Sequence, residues 1–230
     1  PRQRQKMKFD IEHIRAINPN IIYARGSAFG DKGPERDVGG FDGTAFWNRS
    51  GIADAMTPKE LGGPLSQGIP AFGDSIGGMN IAGGIAAALF HRVQTGEATE
   101  IDVSLLSTAW WASGISVDMG IETGQIMSNR MPQSGANPGN PLMGNYYASD
   151  NGVINMCTLT PGPHIKSFFE HIGHPECAED ERFSSAGALM TNWEAASAII
   201  VAAFARQDFK YWRNHLKTYS GQWAPVQSLL

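Results

Sequence analysis

Ile11, Ile14 and Ile17 recur at spacing three behind Asp10, a residue favoured as an N-cap, and Asn18-Pro19 follows, so this pattern predicts a helix over residues 11–17. The short apolar run Ile21-Ile22-Tyr23-Ala24 then reads as a buried strand. It leads into Gly26-Ser27-Ala28-Phe29-Gly30, a loop of residues that let backbone and ligand approach closely. Helix, strand and glycine loop in that order suggest an α/β layer. A further helix is predicted from Gly39 to about Ser50, with Phe41, Ala45 and Phe46 on one face, and a Gly/Pro-rich loop from Thr57 to Pro70.

From Ile76 to Val93 the chain is rich in Ala, Gly, Leu and Ile and has no proline, the pattern of a buried helix, with Thr95-Gly96 as its stop. Glu100 to Leu105 alternates as a strand does, and Leu106 to Ala112 returns to helical character. Met119 to Asn140 has little periodicity and many Gly, Pro, Asn and Ser residues, as in a long linker or active-site loop. Asn145 to Ser149 and Val153 to Thr158 flank Asp150-Asn151-Gly152, a hairpin signal. Helical spacing follows in Pro163 to Ile172, Met190 to Ala205 and Phe209 to Tyr219, with Gly173 and Gly221 as stops.

Composition narrows the function. Across 230 residues, 42% are hydrophobic and 17% charged, enough to bury a sizeable core. The formal net charge is -4 with Lys and Arg scattered, which argues against a nucleic-acid partner or an acidic membrane surface. Cys157 and Cys177 are too few for a disulfide framework, and no apolar run is long enough to span a bilayer, so the cytoplasm is the expected compartment. The polar opening Pro1 to Lys6, without an initiator Met, and the unpunctuated ending Val226 to Leu230 suggest a piece of a longer chain.

Three motifs offer chemistry. Gly73-Asp74-Ser75-Ile76-Gly77 matches the G-x-S-x-G elbow of serine hydrolases, but Pro70 and the weak β character of residues 68–72 do not supply the strand an elbow needs. Asp74 reads as a helix N-cap; as a carboxylate at a helix N-terminus it also meets N–H donors and a positive dipole end that favour negative charge. Gly73, Gly77 and Gly78 clear side chains from around it. His171, His174 and Cys177 place three potential ligands close together, without the second pair a zinc site needs, so no metal is expected.

Several segments together resemble class III CoA-transferases, the group of formyl-CoA and carnitine CoA-transferases that includes α-methylacyl-CoA racemase. Residues 18–30 are similar to that family's strand and glycine loop. Phe72-Gly73-Asp74, Gly84 to Leu89, Thr95-Gly96 and Ile101 to Leu105 resemble its central signature, in which the Asp is the nucleophile. Asn145 to Gly152 resembles the first hairpin of its small domain, and Ala224-Pro225-Val226 the segment leading back to the large one. Two departures stand out: Gly96-Glu97-Ala98-Thr99 replaces the usual Gly-x-Gly-Gln, and Phe41 stands where the racemase branch carries His.

The resemblance implies an α/β fold: residues 1–112 as part of a Rossmann-like large domain carrying the nucleophile, 113–140 as linker and active-site loop, and 141–230 as a small α+β domain. It implies an interlocked homodimer. Asp74 would be acylated by a CoA thioester substrate, an acyl-CoA, and a carboxylic acid would accept the CoA, with no permanently bound cofactor and no metal. Gly73, Phe41, Asp42, Gly135 and Gly139 would contact substrate or CoA, with residues 134–139 covering the acylated Asp although Asn137 and Pro138 replace glycines there. The alternatives are a racemase of the same family, a serine hydrolase using Ser75, and a chain in which the fold survives without catalysis.

Overall fold

The structure, a computed structural model, describes residues 2–125, 129 and 131–229. The chain forms two compact units, residues 1–131 and 132–230, so the division falls between Met131 and Pro132, inside the segment expected as linker.

In the first unit, α1 (Arg2–Met7) precedes α2 (Ile11–Ile17), whose start is fixed by Asp10 Oδ1 accepting from the His13 backbone N–H at 3.1 Å. Strand β1 (Tyr23–Ser27) pairs in parallel with β2 (Glu100–Ser104), Ser27 lying opposite Ser104 at their C-terminal ends. β1 runs three residues further than the apolar run suggested. Arg25, in register with Asp102, is held by it at 2.9 Å and by Asp31 at 2.8 Å, so the residues read as the start of a glycine loop extend the ladder. Between the strands come a π-helix (Asp42–Arg49), α3 (Ile52–Met56) and the long α4 (Phe72–Thr95), closed by Gly96 at φ 77°. After β2, Ser104 caps α5 (Leu105–Ala112), and α6 (Gly114–Thr123) follows.

Three expectations change here. Phe41 does not share a buried face with Ala45 and Phe46; it precedes the π-helix and is 81% exposed. α4 is buried on one side only: Met79, Phe90 and Val93 are exposed, while Gly84 packs on Ile101. The segment from Met119 is not irregular at its start, because α6 runs to Thr123; residues 126–128 and 130 of that segment lie outside the described residues. The first unit's buried cluster is small, built from Phe46, Trp47, Ala53 and Ala109.

The second unit is an antiparallel sheet in the order β3 (Gly135–Asn137), β4 (Asn140–Tyr147), β5 (Val153–Cys157), β6 (Trp223–Pro225). The β4–β5 hairpin forms where Asp150-Asn151-Gly152 predicts it, with Asn151 at φ 64°. Helices α7 (Gly162–His171), α8 (Pro175–Ala178), α9 (Ala186–Thr191), α10 (Trp193–Phe204) and α11 (Phe209–His215) complete the unit. The single helix expected from Met190 to Ala205 is broken at Asn192, whose side chain donates to the Ala188 carbonyl at 2.9 Å. A continuous core of Leu142, Tyr146, Ile154, Phe168, Ile200, Phe204 and Trp212 joins sheet and helices.

Candidate active site

Parallel strands with a helix between them leave a crevice at the strands' C-terminal ends, where open α/β folds bind ligands. Here a cleft of about 330 Å³ is lined by Ser27 and Ala28 at the end of β1, Ser104 and Leu105 at the end of β2, Gly40, and Asp74, Gly77 and Gly78 on the first turns of α4. Asp74, Gly77, Gly78 and Ile81 recur on one face of that helix; a Cβ at Gly78 would meet nothing within 4 Å, whereas one at Gly77 would touch Leu105 and Thr108. Asp74 is exposed, and no hydrogen bond or ion pair engages its carboxylate among the described residues.

Asp74 does not cap its helix. The cap residue is Ala71, in the left-handed conformation at φ 56° and without a capping side chain, which makes Asp74 the third residue of α4. The cap comes instead from Asp42. Its Oδ1 accepts from the Gly73 backbone N–H at 2.7 Å, and its Oδ2 accepts from Trp47 Nε1 at 3.0 Å and from Gln67 Nε2 at 2.9 Å. Asp42 is 4% exposed, so both its oxygens are spent inside the protein and do not face the cleft as the substrate contact expected of it. Gly73 is likewise buried: a Cβ there would lie 2.2 Å from Phe46 Cγ and 2.5 Å from Asp42 Oδ1, so this glycine serves close packing.

Ser75 is the fourth residue of α4, and its hydroxyl donates to the Ala71 carbonyl at 2.9 Å. No strand runs directly into it, residues 62–71 being irregular, so the elbow geometry is missing. Gly135 and Gly139 belong to the second unit. Gly135 opens β3, and Pro138-Gly139, with Gly139 at φ 82°, form the tight turn into β4. The expected covering loop is thus a paired strand and a turn. Sequence reasoning singled out Asp42 but missed its partners; the signal was Trp47 five residues on, the π-helical spacing.

Of the three potential ligands expected together, His174 and Cys177 are grouped, but with Glu176 and not with His171; His174 Nδ1 lies 2.8 Å from Glu176 Oε1. His171 is turned elsewhere, its Nε2 lying 3.0 Å from Thr218 Oγ1. The hydrogen bond from His174 holds the Glu176 carboxyl below its usual range. Burial pushes the Cys177 thiol up, which opposes the thiolate a metal would need. The His174–Glu176 pair reads as a local hydrogen bond at the start of α8.

The family model of CoA-transferase family III matches residues 1–229. The chain belongs to CoA-transferase family III. It is 29% identical over 224 residues to an (R)-2-hydroxy-4-methylpentanoate CoA-transferase of Clostridioides difficile, covering 97% of this chain and 54% of that protein. It is 28% identical over 181 residues to a cinnamoyl-CoA:phenyllactate CoA-transferase of Clostridium sporogenes, covering 78% of this chain and 42% of that protein. The chain spans about half the length of these relatives. A CAIB/BAIF family protein of Brucella suis, 22% identical, superposes with a TM-score of 0.78 over 99% of this chain and 58% of its own, so the mixed α/β architecture is that of the family. No helix among the described residues is long and apolar enough to cross a membrane.

Proposed function

We propose that the complete protein moves coenzyme A from an acyl-CoA to a carboxylic acid, with Asp74 as the covalent nucleophile. The observation that carries this is the contrast between two carboxylates at the start of α4: Asp42 is buried and fully hydrogen-bonded, whereas Asp74 is exposed, unengaged and lines the cleft. Nucleophilic catalysis needs the free one.

In the proposed sequence the Asp74 carboxylate attacks the thioester carbonyl and expels CoA thiolate, giving a mixed anhydride. The thiolate then attacks the Asp74 carbonyl and releases the donor acid, leaving an aspartyl-CoA thioester. The acceptor carboxylate repeats these steps in reverse order and regenerates Asp74. The CoA thioester is the substrate, and no bound cofactor takes part. Both intermediates are water-sensitive, so a closing element is required. A homodimer is part of the proposal, supported by the apolar side chains Met79, Phe90, Trp111 and Ile115 that this chain leaves uncovered; the cytoplasm is the compartment proposed with it.

The test is to incubate the complete protein with acyl-CoA and hydroxylamine and to locate the product by mass spectrometry. A hydroxamate at Asp74, lost in Asp74→Ala, is expected. Modification at Ser75, or transfer that survives Asp74→Ala, overturns the mechanism. The first acceptors to screen are the two acids named for the relatives above.

A further inference from the structure

The helix that carries Asp74 has no capping side chain of its own, and the substitute comes from 31 residues earlier. We propose that Asp42 is a positioning residue for the nucleophile, acting through the Gly73 N–H to set where the Asp74 carboxylate stands; this rests on the reading of Asp74 given above. The hydrogen bond at Gly73 is one peptide unit from the Asp74 Cα. Gly73 lies close against Phe46 and the Asp42 carboxylate: a Cβ built on it would fall 2.2 Å from Phe46 Cγ and 2.5 Å from Asp42 Oδ1, so only glycine fits this contact. Asp42 is itself fixed: Trp47 and Gln67 both donate to Oδ2 and leave Oδ1 aimed at the helix. The first turn of α4 is therefore clamped on the side away from the cleft, while Asp74 on the other side stays open to substrate.

A clamp of this kind acts on the chemical step. Loss of it lets the first turn shift, and a small misplacement of a nucleophile lowers kcat by about 10–100-fold without a matching change in substrate binding. The test compares Asp42→Ala, Asp42→Asn and Ile52→Ala in the complete protein, measuring thermal midpoint, kcat, both KM values and the single-turnover rate of Asp74 acylation. Ile52→Ala weakens the same small core without touching Asp42 and controls for stability. Asn retains a carbonyl oxygen for Gly73 but turns an amide toward the Trp47 and Gln67 donors.

The expected result is a fall in acylation rate for Asp42→Ala, with KM changed by less than about twofold, partial recovery in Asp42→Asn, and no such fall in Ile52→Ala at matched folded fraction. Acylation that follows the folded fraction equally in all three variants overturns the positioning role. So does an Asp42→Asn protein that is folded but acylates as slowly as Asp42→Ala, because the retained acceptor would then count for nothing. An inactive Asp74→Ala beside a wild-type acylation rate in Asp42→Ala removes the positioning role alone, whereas an active Asp74→Ala removes the nucleophile reading itself.

Discussion

A Cβ placed on Gly84 would lie 2.7 Å from Cγ2 of Ile101, so α4 rests on β2 through a contact that only glycine permits. The methyl it would meet is on a branched carbon and cannot swing aside cheaply. Gly84→Ala gains about 1 kcal/mol of helix propensity and loses about 1–3 kcal/mol to overpacking, so net destabilisation is expected. Placed in an Ile101→Ala background, the same substitution should become neutral or stabilising. Urea unfolding of the four proteins in this cycle decides it; an equal cost in both backgrounds would show that the two residues do not meet.

Ser75→Ala should leave a substantial part of CoA transfer intact, because its hydroxyl is spent on the Ala71 carbonyl inside the first turns of α4. Asp74→Ala should abolish transfer, since only a carboxylate forms the anhydride. Initial rates with one acyl-CoA donor and one acceptor suffice. Equal loss in both variants would revive the serine reading.

Racemisation of a 2-methylacyl-CoA should be absent. Proton exchange at Cα needs a second acid or base; Phe41 has no exchangeable side-chain proton, and the neighbouring Asp42 is buried with both oxygens occupied. Deuterium wash-in at Cα, followed by mass spectrometry, is the measurement. Incorporation that depends on Asp74 would reveal another acid or base in the cleft.

Local rules made much of this legible. Asp10 marks α2, Gly96 ends α4, and Asn151 turns the β4–β5 hairpin, because each answers to caps and turn conformations that a few neighbouring residues determine. What was lost depends on packing. In α6 the apolar residues Ile115, Val117, Met119 and Ile121 fall on every second position and all are exposed, so no helical stripe faces a core and the sequence carries no helical period here. Asp74 was singled out by a motif. Asp42's true partners were not, since Trp47, Gln67 and Gly73 converge on it only in the folded chain.

Alkaline pH should unfold the second unit early. Burial pushes the Tyr219 phenol up to about 12 and raises Tyr146 well above its ordinary range. Both groups are raised in the fold, so their contribution is complete below the unfolded value of about 10 and is lost as pH rises through the folded values. Tyr219→Phe should flatten the decline in urea midpoint between about pH 10 and 12, tracked by near-UV circular dichroism. Identical slopes for wild type and variant would mean that the phenol ionises without cost to the fold.

Gly152→Ala is expected to cost about 3 kcal/mol, because its Cβ would lie 2.3 Å from the Cβ of Phe209 at the start of α11. Asn151→Gly, at the position with φ 64°, should stay within about 0.5 kcal/mol of wild type. Denaturant midpoints of the two variants separate a steric demand from a conformational one. A tolerated Gly152→Ala would contradict the close approach of hairpin and helix.

Asp42 bonds to Trp47 and Gly43 accepts from Asn48, in each case across five positions, because the π-helix stacks residues that far apart. Such a turn is an α-helix carrying one residue too many. A related chain that lacks one residue between positions 42 and 49 can wind this segment as an ordinary α-helix with both ends in place, yet its aspartate and its aromatic ring would then point in different directions. Length, more than identity, is the heritable variable here: a single-codon deletion would unmake the clamp while preserving every residue that forms it.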